Sequence, residues 1–255
     1  MSLVAFPLLD RYLSVRLDAP LDRLNPGFVL VETARRLQRE TSYGFQHVLW
    51  WVWLADGRSV LSLVPGAGAC VSEITRRVVS AEHLRDPKVA ASLREALNGW
   101  LTHRGDTQIS GGGLSLQFAC NAAHLQVHQR SECRRLRDAS IPPAPGLELP
   151  THCFPDGLVY GAVVDGCVAS VAYAHRTGLM EDQVADIGIE TAPDYRRRGL
   201  AQTALSAVAT QMIGQGGEVL YSCGAANPAS IATARSVGCV PYATSLVLSA
   251  PIACD

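Results

Sequence analysis

The stretch from Asp186 to Gln202, DIGIETAPDYRRRGLAQ, constrains this chain more than any other. Ile187, Ile189 and Thr191 alternate with Asp186, Gly188 and Glu190, the period-2 pattern of a half-buried strand. Ala192-Pro193-Asp194 ends it, because proline has no N–H for a ladder and aspartate suits a turn. Arg196-Arg197-Arg198-Gly199-Leu200-Ala201 follows and runs into Gln202 to Ala209, an alanine-rich helical segment. Gly199 lets the loop turn its N–H groups inward with no Cβ in the way. The helix start adds unpaired N–H groups and about +0.5 of an elementary charge. Strand, arginine loop and helix N-terminus together predict an anion site suited to a diphosphate.

Taken from its beginning, the chain opens on MSLVAFPLLDRYL, which has no basic region ahead of its apolar residues and does not read as a signal peptide. After the turn signal Asn25-Pro26-Gly27, the apolar spacing of Val31, Ala34 and Leu37 predicts a helix over Val29 to Arg39. Phe45 to Leu54 and Ser59 to Val64, joined through Asp56-Gly57, predict a β-hairpin. Trp50, Trp51 and Trp53 cannot all face one way; they are expected in the core, with one turned toward a cavity. Val71 to Leu101 reads as helical with a break at Asp86-Pro87. Gly111-Gly112-Gly113 has no basic helix after it, so it is expected in a loop or hairpin before a strand over Leu114 to Ala119.

His124 and His128 have an i, i+4 spacing on an expected helix, but no third ligand is near in sequence, and no metal site is predicted. Arg130, Arg134, Arg135 and Arg137, diluted by Glu132 and Asp138, read as a solvated face of the same helix. Ala139 to Pro150, ASIPPAPGLELP, is the one strong shift in composition and predicts an extended segment. The expected organisation is an N-terminal α/β domain over 1–140, a proline-rich linker over 141–150 and a second domain over 151–255. In the second, Gly157–Val164 and Cys167–His175 form a hairpin through Asp165-Gly166, and Arg176 to Gln183 loops into the Asp186 strand. The arginine-loop helix (about 200–215), a strand (219–223), a helix (about 227–237) and a last strand (243–248) complete it.

Arg196-x-x-Gly199-x-Ala201 after a strand resembles the pyrophosphate-binding signature of the GNAT acetyltransferase superfamily. Val219 to Gly238, VLYSCGAANPASIATARSVG, is similar to its fifth strand and closing helix, with Asn227, Ser230 and Gly238 at the family's Asn…Ser…Gly spacing. The resemblance covers about residues 155–250 and points to a bacterial subgroup with an N-terminal extension. It implies an α+β fold, a mixed and mostly antiparallel sheet flanked by helices, and acetyl-CoA as co-substrate. It also implies that backbone N–H groups of Arg197, Arg198, Gly199, Leu200 and Ala201 hold the diphosphate, with Arg196 and Arg198 adding charge. Backbone at Ile189, Glu190 and Thr191 is implied to pair with the pantetheine as an added strand would. Asn227 and Ser230 are implied to touch the same arm; Asn227 before Pro228 is also a helix N-cap, and both roles are compatible.

Acetyl transfer to a primary amine of pKa about 10.4 requires the amine to lose a proton, roughly 4–5 kcal/mol at pH 7, so a base is well motivated. By resemblance it comes from the organising strand, where Glu190 and then Asp186 are the carboxylates; a surface carboxylate is the other role open to each. The family's common general acid, a tyrosine seven residues after the asparagine, is replaced by Ala234. Tyr242, and after it Tyr221 or Cys239, are the substitutes the sequence offers; a thiol of pKa about 8.5 is a fair leaving group, so the missing proton matters by only about 2 kcal/mol at pH 7. A covalent route through Cys223 or Cys239 ranks below a core role for both. The expected activity is acetylation of a small-molecule amine; a protein amine as acceptor and an acetyl-CoA-binding sensor without turnover are the alternatives.

Composition sets the outer bounds. At 48% hydrophobic and 18% charged residues, 255 residues can bury a large core, and a net charge of −1 gives no global reason to bind nucleic acid or an anionic membrane. No apolar run reaches the length of a membrane span. Eight scattered cysteines without a Cys-x-x-Cys pair predict reduced thiols in a cytoplasmic protein, and Cys254 does not form a prenylation box.

Overall fold

A computed structural model describes residues 5–38, 45–128, 132–154, 157–175 and 177–251; Met1 to Val4, Arg39, Arg130, Arg176 and Cys254 lie outside the described residues. In chain order the elements are α1 (Pro7–Leu17), β1 (Gly27–Glu32), β2 (Phe45–Leu54), β3 (Arg58–Leu63), α2 (Gly68–Arg77), α3 (Ala81–Leu84), α4 (Pro87–Arg104) and β4 (Gly111–Cys120). Then follow β5 (Cys133–Arg135), β6 (Val159–Val164), β7 (Cys167–Ala174), β8 (Val184–Thr191), α5 (Leu200–Gly214), β9 (Glu218–Gly224), α6 (Pro228–Ser236) and β10 (Val240–Pro251). The architecture is α+β. Contacts divide the chain into two compact units, 1–117 with 242–255 and 118–241. Among the described residues no helix is long and apolar enough to cross a membrane.

In the first unit the strands lie in the order β1-β3-β2-β10-β4. The expected hairpin forms, β2 antiparallel to β3, with Gly57 at φ 91° in its turn. The expected helix over 29–39 does not form. Its first half is β1, parallel to β3 from Gly27↔Arg58 to Glu32↔Leu63, and a 3-10 turn follows over Ala34–Leu37. The β-branched Val29 and Val31 suit the strand, and the Thr33 hydroxyl accepts from Arg35 N (3.1 Å) to start the turn. Trp51 is fully buried and donates to Ser59 Oγ (2.9 Å). Trp50, one residue earlier and therefore on the other face, donates to Ser245 Oγ (2.8 Å), with the guanidinium groups of Arg16 and Arg36 4.8 and 5.5 Å from its ring. The helical stretch breaks at Asp86-Pro87, where Asp86 caps α4 by accepting from Lys88 N (2.9 Å). Gly111-Gly112-Gly113 are the first residues of β4 rather than a loop.

In the second unit the order is β9-β8-β7-β6-β5. Asp165 (φ 52°) and Gly166 (φ 77°) join β6 to β7 in the doubly left-handed turn that matches strand twist. β7 and β8 are antiparallel and β8 and β9 parallel. Helix α5 buries Leu200, Ala204, Leu205 and Val208. The proline-rich stretch belongs to this unit: Val168 N donates to Pro142 O (2.9 Å) and Ala144 N to Val168 O (2.9 Å), which fastens its extended backbone beside the start of β7.

The helix expected around His124, His128 and the arginines is absent among the described residues. His124 N closes a turn on Asn121 O, Gln126 N donates to Val237 O, and Arg134 and Arg135 stand exposed on β5, a short sheet-edge strand whose charges discourage further pairing. The backbone of this segment crosses Gly238, which sits at φ 86° with no room for a Cβ against the His124 carbonyl. Gly238→Ala is therefore expected to lower stability by about 2 kcal/mol or more. A denaturant midpoint unchanged from wild type would contradict this.

Candidate active site

The organising stretch is built as a strand, a 3-10 turn (Pro193–Tyr195), a loop and α5. Two residues in the loop take left-handed backbone, Arg197 at φ 60° and Gly199 at φ 78°. These reversals turn successive N–H groups toward one side, the geometry of an anion-binding nest. Thr203 N is bonded to Gly199 O (3.1 Å), so the N–H groups of Leu200, Ala201 and Gln202 lie in the first turn, where a helix has no acceptor for them. All three arginines are exposed. Two are tied to their own loop: Arg196 Nε donates to Thr191 O (3.3 Å), and Arg198 Nη2 donates to Asp194 O (2.9 Å) with its guanidinium 4.9 Å from the Tyr195 ring. Their positive charge is thereby held at the loop at little further entropic cost.

Upstream of the loop, β8 has an open edge. Its ladder with β7 extends to Thr191↔Ser170, whereas its ladder with β9 ends at Ile187↔Tyr221. His175 N donates to Asp186 O (2.7 Å), so the backbone groups of Asp186, Gly188 and Glu190 point toward β7. Those of Ile187, Ile189 and Thr191 therefore point toward the β9 side. Ile187 is paired there and Thr191 O receives Arg196 Nε, which leaves the N–H and C=O of Ile189 at the unpaired edge. An extended ligand can add to such an edge as a strand does.

Loop and open edge line one cavity of about 960 Å³. Its lining includes Ile189, Glu190 and Thr191 from β8, Arg196, Arg197 and Gly199 to Gln202 from the loop and the start of α5, and Tyr221, Asn227 and Ser230 from β9 and α6. Asn227 caps α6, accepting from Ser230 N at Oδ1 (3.1 Å), so what its side chain offers a ligand is the amide NH₂. Gly146 and Leu147 add a further wall that sequence reading missed. Their segment was legible only as proline-rich; its seat beside β7 depends on Val168, more than twenty residues on.

The alternation along β8 places Asp186, Gly188 and Glu190 on one face. Tyr173 is paired with Gly188, and a Cβ on Gly188 would strike its phenol and the His175 ring, so both side chains cover that face between the two carboxylates. This polar group was missed as well; nothing in sequence spacing joins it. Glu190 is exposed and lines the cavity, whereas Asp186 is half-buried and does not. Arg198 does not line the cavity either. Tyr242 belongs to the first unit, donates to Asp10 Oδ1 (2.7 Å) with its ring edge-on to Phe6, and is not among the residues lining the cavity.

Cys223 and Cys239 are buried and line no part of the cavity. Burial pushes the Cys223 thiol up; the neighbouring free Cys120 thiol, together with burial, pushes Cys239 up strongly. Suppressed ionisation suits packing, not nucleophilic attack. His124 Nδ1 is bonded to Asn121 Oδ1 (2.8 Å) and His128 Nε2 to Ser236 O (2.7 Å); among the described residues no cluster of His, Cys, Asp or Glu could hold a metal ion. No tryptophan lines the cavity.

Residues 128–239 match the family model described as the acetyltransferase (GNAT) family. No curated protein matches the sequence. Among solved structures the chain is similar to a GNAT-family acetyltransferase of Novosphingobium aromaticivorans, at 20% identity over 58% of this chain and 68% of that one, with a TM-score of 0.47. A Drosophila protein gives 17% identity, 62% and 57% coverage and a TM-score of 0.47. A GNAT-family acetyltransferase of Colwellia psychrerythraea gives 13%, 59% and 61%, and 0.43. Over residues 128–239 the chain is thus similar to the GNAT acetyltransferases.

Proposed function

We propose that this protein transfers the acetyl group of acetyl-CoA to a primary amine of a small molecule, by direct attack with Glu190 as general base. The observation that carries this reading is the open edge at Ile189, which leads along one cavity into the left-handed loop and the first turn of α5. A hydrogen-bonding edge followed by a cationic N–H cluster is complementary to an amide-bearing arm that ends in a diphosphate. When bound, acetyl-CoA supplies an acetyl thioester, an electrophile that an amine can attack.

The chain's own residues do the rest. N–H groups from Arg197 to Ala201 receive the diphosphate, while Arg196 and Arg198 hold positive charge beside it. Ile189 aligns the arm through its backbone N–H and C=O, and Asn227 and Ser230 border it from α6. Glu190 stands exposed at the cavity wall, where its carboxylate attracts an ammonium and can take the proton the amine must lose.

The test is thiol release from acetyl-CoA across a panel of small amines and lysine peptides, with CoA binding measured by calorimetry alongside. Release with one class of small amine is expected. Release with lysine peptides alone would move the acceptor to protein amines. Tight CoA binding with no release from any amine would select a binding module, and absence of CoA binding would overturn the reading altogether.

A further inference from the structure

The family tyrosine that would protonate the leaving thiolate is absent from α6, where Ala234 is fully buried. Ser230 lies one turn before Ala234 on the same helix face, and it borders the cavity. The Tyr221 phenol, which comes from β9, lines the same cavity. Tyr221 is paired in register with Ile187, at the point where the β8–β9 ladder stops. Paired residues share a face, so Tyr221 projects on the side of Ile187 and Ile189, opposite the side of Glu190. The two groups therefore approach the open edge from opposite faces of the sheet.

We propose that Tyr221 is the general acid of this site, delivering from the adjoining strand the phenol that α6 lacks. The proposal rests on the acetyl-CoA reading above. As the C–S bond breaks, its electron pair goes to sulfur and the Tyr221 Oη proton follows, releasing CoA as the thiol. The bond formed is that between the amine nitrogen and the acetyl carbonyl carbon; Glu190 takes the proton from that nitrogen and passes it to solvent, and solvent returns one to the phenolate, so the protons balance. Burial raises the Tyr221 phenol above its ordinary value, with Ser230 working the other way, so the group carries its proton at neutral pH as an ordinary tyrosine does. Tyr242, the substitute the sequence ranked first, is engaged with Asp10 in the first unit.

A phenol aimed at the sulfur also stabilises the thiolate of bound CoA, which can be read without any acceptor. The measurement is a pH titration of isotope-labelled CoA bound to the protein, followed by the NMR shift of the methylene carbon next to sulfur. In wild type the thiol should ionise at lower pH than in free CoA. Tyr221→Phe should raise the midpoint so that the thiolate fraction at a fixed pH falls about tenfold, while CoA affinity by calorimetry at pH 6 stays within about twofold. Difluorotyrosine at position 221, a more acidic isostere, should lower the midpoint further; it carries the test should the phenylalanine variant fold poorly. Equal midpoints in wild type and variants, with CoA bound in each, would overturn the assignment and leave the acetyl-CoA site standing. Failure of wild type to bind CoA would overturn the underlying reading, and the assignment with it.

Discussion

Gly199→Glu is expected to weaken CoA binding about 100-fold or more, the largest effect any single residue of the cavity should show. Two physical terms act together. Gly199 holds φ 78° as the residue before α5, a backbone that a residue with a Cβ adopts at a cost of about 1–2 kcal/mol. The new carboxylate would also sit where the loop's N–H groups converge, competing for the charge-assisted bonds a diphosphate would make, worth about 1.5–3 kcal/mol each. A glutamate near a helix N-terminus is favourable for the helix itself, so the fold should survive. Gly199→Asn separates the terms, because asparagine tolerates left-handed backbone and carries no charge. Calorimetry should find the asparagine variant within about tenfold of wild type and the glutamate variant far weaker. Equal affinity for Gly199→Glu and wild type would remove the loop from the binding site.

Glu190→Gln should lower turnover about 100-fold near neutral pH and leave CoA affinity nearly unchanged, consistent with the usual range for loss of a general base. The loss should shrink as pH rises, because solvent then deprotonates a growing share of the amine and the base is needed less. Glutamine keeps the shape and the cavity wall, so an effect on kcat without one on CoA binding separates proton transfer from packing. Asp186→Asn is the control: Asp186 shares the strand face but does not line the cavity, and its replacement should cost less. Turnover for Glu190→Gln equal to wild type at neutral pH would exclude Glu190 as the base.

Both experiments depend on features that were legible before any tertiary structure. The arginine loop, the Asp165-Gly166 turn, the break at Asp86-Pro87 and the Asn227 cap each span a handful of residues, and each follows from rules that act over that distance: a positive φ, a missing N–H, a side-chain oxygen in reach of a nearby amide. Where local rules were ambiguous, long-range pairing decided. Val31, Ala34 and Leu37 match a helical period, yet Gly27–Glu32 is a strand because β3, some thirty residues on, offers it a parallel partner. Gly111-Gly112-Gly113 has poor strand propensity and still begins β4, in the sheet order next to β10.

The sequence by itself determined the arginine loop and the carboxylates of the strand before it, since chain connectivity alone puts them within a few residues of one another. Only the tertiary structure decided where the β8–β9 ladder stops and that Gly146, Leu147 and Tyr221 line the cavity. The ladder joins Ile187 to Tyr221, and the cavity brings Gly146 and Leu147 to Ile189, pairs that lie tens of positions apart. Closing such distances is set by the packing of the whole unit, which no local pattern of residue types encodes.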